Sequence, residues 1–318
     1  MDGVLNIDKP AGITSHDVVS RVRRILKIKR VGHAGTLDPM ATGVLLVCIG
    51  HATRIAEYLV DAEKEYEGVI TLGVTTDTQD STGNILSEAD ASHITKEQLL
   101  SVLPEFTGRI LQIPPMVSAA HHEGKRLYQL AREGKVVDRK PREVEVKQIE
   151  LLDFQPTPVV SGNPFPETQT EQPSPSNRPN AIFRVTCSKG VYIRTLFADI
   201  GAALGVGAHM SRLRRTRIGR FVIDKSMNLD ILAQAAVEGK AENLVITMAE
   251  ALADMPEVII SPESLEAVRH GQAFHPPDDF VAGEGEITRI MLDSDLVALA
   301  RVVKQDEGVV LQPAKVFI

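Results

Sequence analysis

The stretch Gly32-His33-Ala34-Gly35-Thr36-Leu37-Asp38-Pro39 runs without a break into Met40-Ala41-Thr42-Gly43-Val44-Leu45-Leu46-Val47-Cys48-Ile49-Gly50. The second half is an apolar run ended by glycine, the pattern of a buried strand. The first half sets a single carboxylate, Asp38, in a loop. Two glycines there permit turns that other residues resist, and Pro39 fixes the chain behind the acid. Such a loop can hold an acid in one orientation for chemistry. An isolated Asp-Pro serves equally well as a structural turn, its side chain bonded to its own backbone, so the surroundings of Asp38 decide.

Upstream, residues 4–8 (VLNID) read as a short strand and KPAG as a turn. Thr14 or Ser15 can then cap a helix whose apolar positions Val18, Val19, Val22, Ile25 and Leu26 follow the helical period. Asp17 falls in its first turn, near the positive end of the dipole, and Arg21, Arg24 and Lys27 occupy the opposite face. Downstream, EYEGVITLGV (65–74) has strand character and DTQDSTGN is turn-rich. A short helix is expected over 99–106, an alternating strand at REVEVKQIELLDF and another at AIFRVTCS. A helical face follows at Ile193, Leu196, Phe197, Ile200 and Leu204. Residues 156–180 hold seven of the 18 prolines among Ser, Thr, Gln and Asn, and are expected to be a flexible insertion within a hairpin. Helical patterns fill 228–254, and short strands dominate after Met255-Pro256. A chain of 318 residues exceeds the size at which single cores stop growing, roughly 250 to 300 residues, so two domains are expected: 1–254 and a small β-rich domain at 255–318.

The net charge of -7 looks unsuited to nucleic acid, but its distribution matters more than its sum. Residues 226–318 contain 6 Lys/Arg against 16 Asp/Glu, which leaves the preceding part with a net charge of +3. There the positive residues cluster: Arg21, Arg23, Arg24, Lys27, Lys29 and Arg30; then Arg212, Arg214, Arg215, Arg217 and Arg220; and, diluted by acids, the segment from Lys125 to Arg142. No apolar run approaches the ~20 residues that span a bilayer. The opening MDGVLNIDKP carries acids and a Lys-Pro pair where an export signal would be basic and then apolar, so a cytoplasmic location is expected. Cys48 and Cys187 lie in separate strand-like segments with no metal-ligand spacing, so neither a disulfide nor a structural zinc is expected.

Common catalytic signatures are missing: no GxGxxG after a strand, no GxxxxGKS/T, no HExxH and no GxSxG. What is present is a set of blocks. GHAGTLDPMATGVL resembles the signature loop of the bacterial tRNA pseudouridine-55 synthases, the TruB family. LNIDKPAGITSHDVV, KEYEGVITLG and CSKGVYIRTLFADIG are similar to that family's first, tyrosine and arginine motifs, and PPMVSAAHHEGKRLYQLAREG to its RNA-gripping thumb, here about 114–142. Five blocks in the family's order cover most of residues 3–220. The chain is therefore identified as resembling that family, with the 156–180 insertion longer than expected for it.

The resemblance implies an α+β pseudouridine synthase fold, a mixed and mainly antiparallel sheet with flanking helices, plus a PUA-like C-terminal domain. It implies isomerisation of uridine at position 55 in the T-loop of tRNA, with an accompanying tRNA-folding role. Cofactor, metal and obligate protein partner are not expected, and the chain is expected to act as a monomer. Asp38 would be the nucleophile, by attack on the sugar or by elimination through a glycal; both need a carboxylate. Arg194 would sit against it, because burial raises a carboxyl pKa and a nearby guanidinium lowers it. Tyr66 would stack on the uracil, with Tyr192 as a second wall and Leu213 as an apolar lid. His33 would fill the space left by the flipped nucleotide, and Lys9 and Pro10 would brace the floor. Arg24, Lys27, Lys29, Arg212, Arg214 and Arg215 would hold the RNA backbone, giving binding that weakens steeply with salt. Two other readings use the same residues: an RNA-binding protein without chemistry, and a nucleoside hydrolase using Asp38.

Overall fold

The computed structural model describes residues 1–118, 120–122, 124–156, 178–277, 280–305 and 308–318. Most of the proline-rich segment expected to be a flexible insertion lies outside the described residues. In chain order the first elements are β1 (Gly3–Lys9), α1 (Ser15–Leu26), β2 (Val31–Ala34), β3 (Thr42–Ile49), α2 (Ala56–Asp61), β4 (Lys64–Leu72), β5 (Val74–Thr76) and β6 (Ile85–Glu88). Then come α3 (Lys96–Val102), β7 (Gly108–Gln112), β8 (His121–His122), β9 (Lys125–Arg126), α4 (Leu127–Arg132), β10 (Arg142–Gln155), β11 (Asn180–Cys187), α5 (Ile193–Ala203) and β12 (Ala208–Ile218). The chain closes with β13 (Phe221–Val222), α6 (Leu229–Val237), α7 (Met248–Ala251), β14 (Glu257–Ile259), α8 (Leu265–Arg269), β15 (Ile287–Leu292), β16 (Asp295–Gln305) and β17 (Gly308–Val316).

One sheet carries the order β1-β3-β12-β4-β11-β10-β7, with β2 beside β3 and β13 beside β12. Every pairing in it is antiparallel except β3 with β12, which makes the sheet mixed and mainly antiparallel as expected. The apolar run is β3, and its residues Val44 to Ile49 are fully buried because both faces are covered. Leu45, Val47 and Ile49 pack with Val18, Val19 and Val22 of α1, while Val44, Leu46 and Cys48 face a second core. That second core includes Met291, Leu296 and Leu299, so the four-stranded C-terminal sheet shares apolar packing with the large one. A third core, under α5, joins Phe197, Ile200, Ile70, Met210, Leu213 and Phe183. Cys48 and Cys187 fall in different cores and are both free.

Thr14 is the residue that caps α1. Its hydroxyl accepts from the Asp17 amide and its own amide donates to the Asp17 carboxylate, a capping box that meets two of the helix's orphan donors. One element departs from expectation: residues 32–34, which the sequence reads as the start of the Asp38 loop, belong to β2 (Val31–Ala34). It pairs antiparallel with β3, Val31 opposite Ile49 and Ala34 opposite Leu46. The glycine that interrupts the pattern, Gly32, masked the strand. The consequence is that the Asp38 loop is the connection of a hairpin whose second arm is the most buried strand of the sheet.

The junction of β3 and β12 is unusually close. Arg215 lies in register with Gly43, whose φ is +103°, and a Cβ on Gly43 would come within 2.2 Å of the Arg215 carbonyl oxygen. Only glycine meets both demands. Gly43→Ala is therefore expected to cost roughly 3 kcal/mol from overpacking and backbone strain combined, seen as a lower urea midpoint; a wild-type midpoint would contradict this account of the junction.

Candidate active site

The loop between β2 and β3 is tied down before any question of chemistry arises. Gly35 turns it at a φ of +83°. The Ser15 hydroxyl, at the start of α1 and buried, donates to the Leu37 carbonyl at 3.1 Å and accepts from the Leu37 amide at 2.9 Å. Lys9, fully buried at the end of β1, donates its ammonium to the Pro10 and Pro39 carbonyls, at 2.8 and 3.1 Å. Burial pushes the Lys9 ammonium down to about 8, with the Asp38 charge pulling the other way. Asp38 is thus anchored on both sides, by Leu37 and by Pro39.

Opposite it, Arg194 stands in the first turn of α5, only 3% exposed, while a third of the Asp38 side chain remains accessible to solvent. The Arg194 Nη2 donates to Asp38 Oδ1 at 3.3 Å, and its Nε lies 3.0 Å from Asp38 Oδ2 without the angle of a hydrogen bond, so the pair rests on one hydrogen bond and close opposite charges. The same guanidinium donates to the Val117 carbonyl at 2.6 Å and the Thr78 carbonyl at 3.3 Å. A cation in the first turn of a helix opposes the helix dipole. Carboxylates are therefore needed to hold it there. Asp38 is one, and Asp80, 3.9 Å from Nη1, is the other.

Asp80 was missed in the sequence, where it reads as one polar residue of a turn. In the structure it is buried, and its Oδ1 accepts from the Thr78 hydroxyl at 2.8 Å, the Thr82 amide at 2.9 Å and the Thr82 hydroxyl at 2.6 Å. Its neighbour Gln79 adopts the left-handed conformation, φ +64°, and accepts a hydrogen bond from the Thr195 hydroxyl at 2.8 Å. Three hydroxyl residues within two positions of an acid were the available signal.

The electrostatics follow from this frame. Burial pushes the Asp38 carboxyl above its ordinary value; the Arg194 guanidinium is the strongest opposing influence, Asp80 adds to the rise and Lys9 works against it. Tyr66, on β4, is buried, and its hydroxyl is also pushed up by burial, with Arg215 opposing. Tyr66 and Leu213 belong to the core cluster that includes Leu37 and Met40 on either side of Asp38, so Asp38, Arg194, Tyr66 and Leu213 share one locality. Tyr192 is half-buried at the N-cap of α5, its amide donating to the Gln112 side chain at 2.7 Å and its carbonyl accepting from it at 3.1 Å. His33 is half-buried on β2, opposite Val47.

The basic residues divide. Arg24, Lys27 and Lys29 are exposed at the end of α1, as is Arg212 on β12. Arg214 is largely covered and paired with Asp8 at 2.9 Å. Arg215 corrects the expectation that it holds RNA backbone: it is 1% exposed, and its guanidinium donates to the Val44, Gly35 and Thr36 carbonyls at 2.7, 3.0 and 3.3 Å. Its donors face inward, where no phosphate reaches.

Residues 23–193 match the family model described as TruB family pseudouridylate synthase, N-terminal domain, and residues 194–258 match that of the tRNA pseudouridylate synthase B C-terminal domain. A Symbiobacterium thermophilum protein called tRNA pseudouridine synthase B is 49% identical over 273 residues, 86% of this chain and 83% of that protein. A protein of the same name from Pelotomaculum thermopropionicum is 43% identical over 306 residues, 96% and 89% of the two chains. Among solved structures, a chain of a Cbf5-Nop10-Gar1 complex superposes with a TM-score of 0.71 at 30% identity, covering 99% of this chain and 85% of that one.

Arg194→Ala removes the strongest influence holding the Asp38 carboxyl down, so its titration midpoint is expected to move to higher pH. Carboxyl-carbon NMR of aspartate-labelled protein reads this directly; an unchanged or lower midpoint would show that Arg194 does not govern the charge of Asp38.

Proposed function

The chain belongs to the TruB family of pseudouridylate synthases, and from that premise we propose that it isomerises uridine 55 in the T-loop of tRNA, with Asp38 as the reacting carboxylate. The observation that carries this reading is the ion pair between the buried Arg194 and the partly exposed Asp38. A pure RNA-binding surface has no use for a pinned, half-covered carboxylate among groups that must meet phosphates.

The reaction breaks the bond between uracil N1 and ribose C1′, turns the base, and forms a bond from C5 to C1′. The C5 proton leaves and N1 gains one, so overall composition is unchanged. Asp38 supplies the anionic oxygen, either to C1′ or to the C2′ proton. Arg194 keeps that oxygen ionised and aimed, a preorganised contact rather than one assembled during the reaction. Tyr66 offers the flat face on which the loosened base is retained, and its raised hydroxyl pKa keeps the phenol protonated and able to take part in proton transfer. Leu213 and Tyr192 complete the pocket.

A uridine in a folded loop must be extruded, at a cost of a few kcal/mol. His33 is assigned to fill the vacated position. Arg24, Lys27, Lys29 and Arg212 are exposed and suited to phosphates, with Arg214 contributing from its partly covered position. In this reading residues 1–254 perform catalysis and 255–318 form a PUA-like domain. The acidity of that domain makes it a poor source of phosphate affinity. The enzyme acts as a cytoplasmic monomer, without cofactor or protein partner.

A bare T-arm minihelix labelled with tritium at uridine C5 tests the proposal. Tritium is expected in solvent with no change in RNA mass beyond the label, and Tyr66→Phe is expected to bind the RNA normally while tritium release falls sharply. Free uracil would indicate a hydrolase, and binding without tritium release would indicate a protein that only grips RNA; either result overturns the assignment.

A further inference from the structure

We propose that Arg215 is a positioning residue for the reaction: one rigid guanidinium, wedged between the catalytic loop and Tyr66, sets the distance between the Asp38 carboxylate and the base-binding ring. The inference rests on the functional reading above and extends it to a residue that touches no substrate.

Its position in the sheet makes this geometry possible. β12 lies between β3 and β4, and Arg215 is in register with Gly43 on one side and Tyr66 on the other. From there the side chain reaches under the loop and donates to the carbonyls of Gly35 and Thr36, three and two residues before Asp38, and to that of Val44 in β3, six residues after it. Gly35 is required here by its left-handed φ of +83° and not by space, since a Cβ there would make an ordinary 3.6 Å contact with the Arg215 Nη1. The guanidinium carbon is 5.9 Å from the centre of the Tyr66 ring. A single planar group therefore spans both halves of the site.

Packing alone does not account for an arginine here. The side chain is 1% exposed, and among the described residues it forms no ion pair. Two further buried cations, Lys9 and Lys64, stand close enough for the Arg215 charge to lower both of their pKa values. A third positive charge in that region adds repulsion to the cost of burial. An apolar side chain of similar length would fill the volume without either penalty. What it could not supply is three donors in a fixed plane, nor could lysine, whose single nitrogen moves on a flexible stem.

The test compares Arg215→Lys and Arg215→Met with wild type on the T-arm minihelix, measuring RNA affinity and single-turnover rate separately. Displacement of a reacting group by about 1 Å costs on the order of 100-fold in rate, so Arg215→Lys is expected to lose about that much with RNA affinity essentially unchanged. A double-mutant cycle with Tyr66→Phe adds a readout that general destabilisation does not move: shared positioning predicts losses that are markedly less than additive. Wild-type rate in Arg215→Lys overturns the proposal, as does a parallel loss of affinity and rate, which would mark a phosphate ligand. Loss of the native circular dichroism in Arg215→Lys would assign the residue to stability and overturn it too; the same loss confined to Arg215→Met leaves the lysine comparison to decide. An inactive wild-type enzyme would remove the functional reading itself, and this role with it.

Discussion

Burial favours the protonated form of Asp38, and the contact with Arg194 is the strongest influence against it; the proposed reaction depends on that contact. In the free protein a third of the Asp38 side chain still faces solvent, whereas Arg194 is already covered. The cation is therefore in place in the free protein; in the proposed reaction, RNA binding would complete the burial of its partner. Much of the surrounding structure serves that arrangement. The Thr78 and Val117 carbonyls fix the guanidinium plane, Asp80 balances its charge from behind, and the hydroxyls of Thr78 and Thr82 hold Asp80. Arg194 consequently joins three segments distant in sequence: the loop of Asp38, the turn of Asp80 and the start of the thumb.

The sheet supplies the other half of the constraint. Its single parallel pairing, between β3 and β12, brings the hairpin that carries Asp38 against the strand that carries Leu213 and Arg215. β4 then places Tyr66 one strand further on. Burial of β3 on both faces leaves it little freedom to shift, and the Asp38 loop leads directly into it. By contrast the ion pairs on the outer strand faces, such as Arg184 with Glu67 and Arg217 with Glu63, are partly exposed and screened. Pairs of that kind contribute little to stability.

Much of this was legible in the chain. The apolar run of β3, the capping residues of α1, the alternation of β10 and the amphipathic face of α5 each follow from local rules, and the structure has all four. β2 was not legible, because four residues interrupted by glycine carry too little pattern to separate from a loop. Asp80 was hidden for a different reason: its importance lies in facing Arg194, a contact between residues 114 positions apart. Arg215 could have been assigned. Leu213 and Arg215 are two apart on one strand and point to the same face, so placing Leu213 in the pocket already turned Arg215 inward, away from phosphates. Clustering of charge in sequence suggested a surface, and strand geometry overruled it.

Isomerisation as proposed depends on the anionic oxygen at position 38. Direct mapping of pseudouridine in a T-arm minihelix after a single turnover, with wild type and Asp38→Asn compared at saturating enzyme, measures its contribution most directly. The asparagine keeps the shape and the hydrogen-bonding reach of the side chain but not its charge, so no product above background is expected while RNA binding persists. Pseudouridine formed by Asp38→Asn at the wild-type rate would contradict the mechanism at its root.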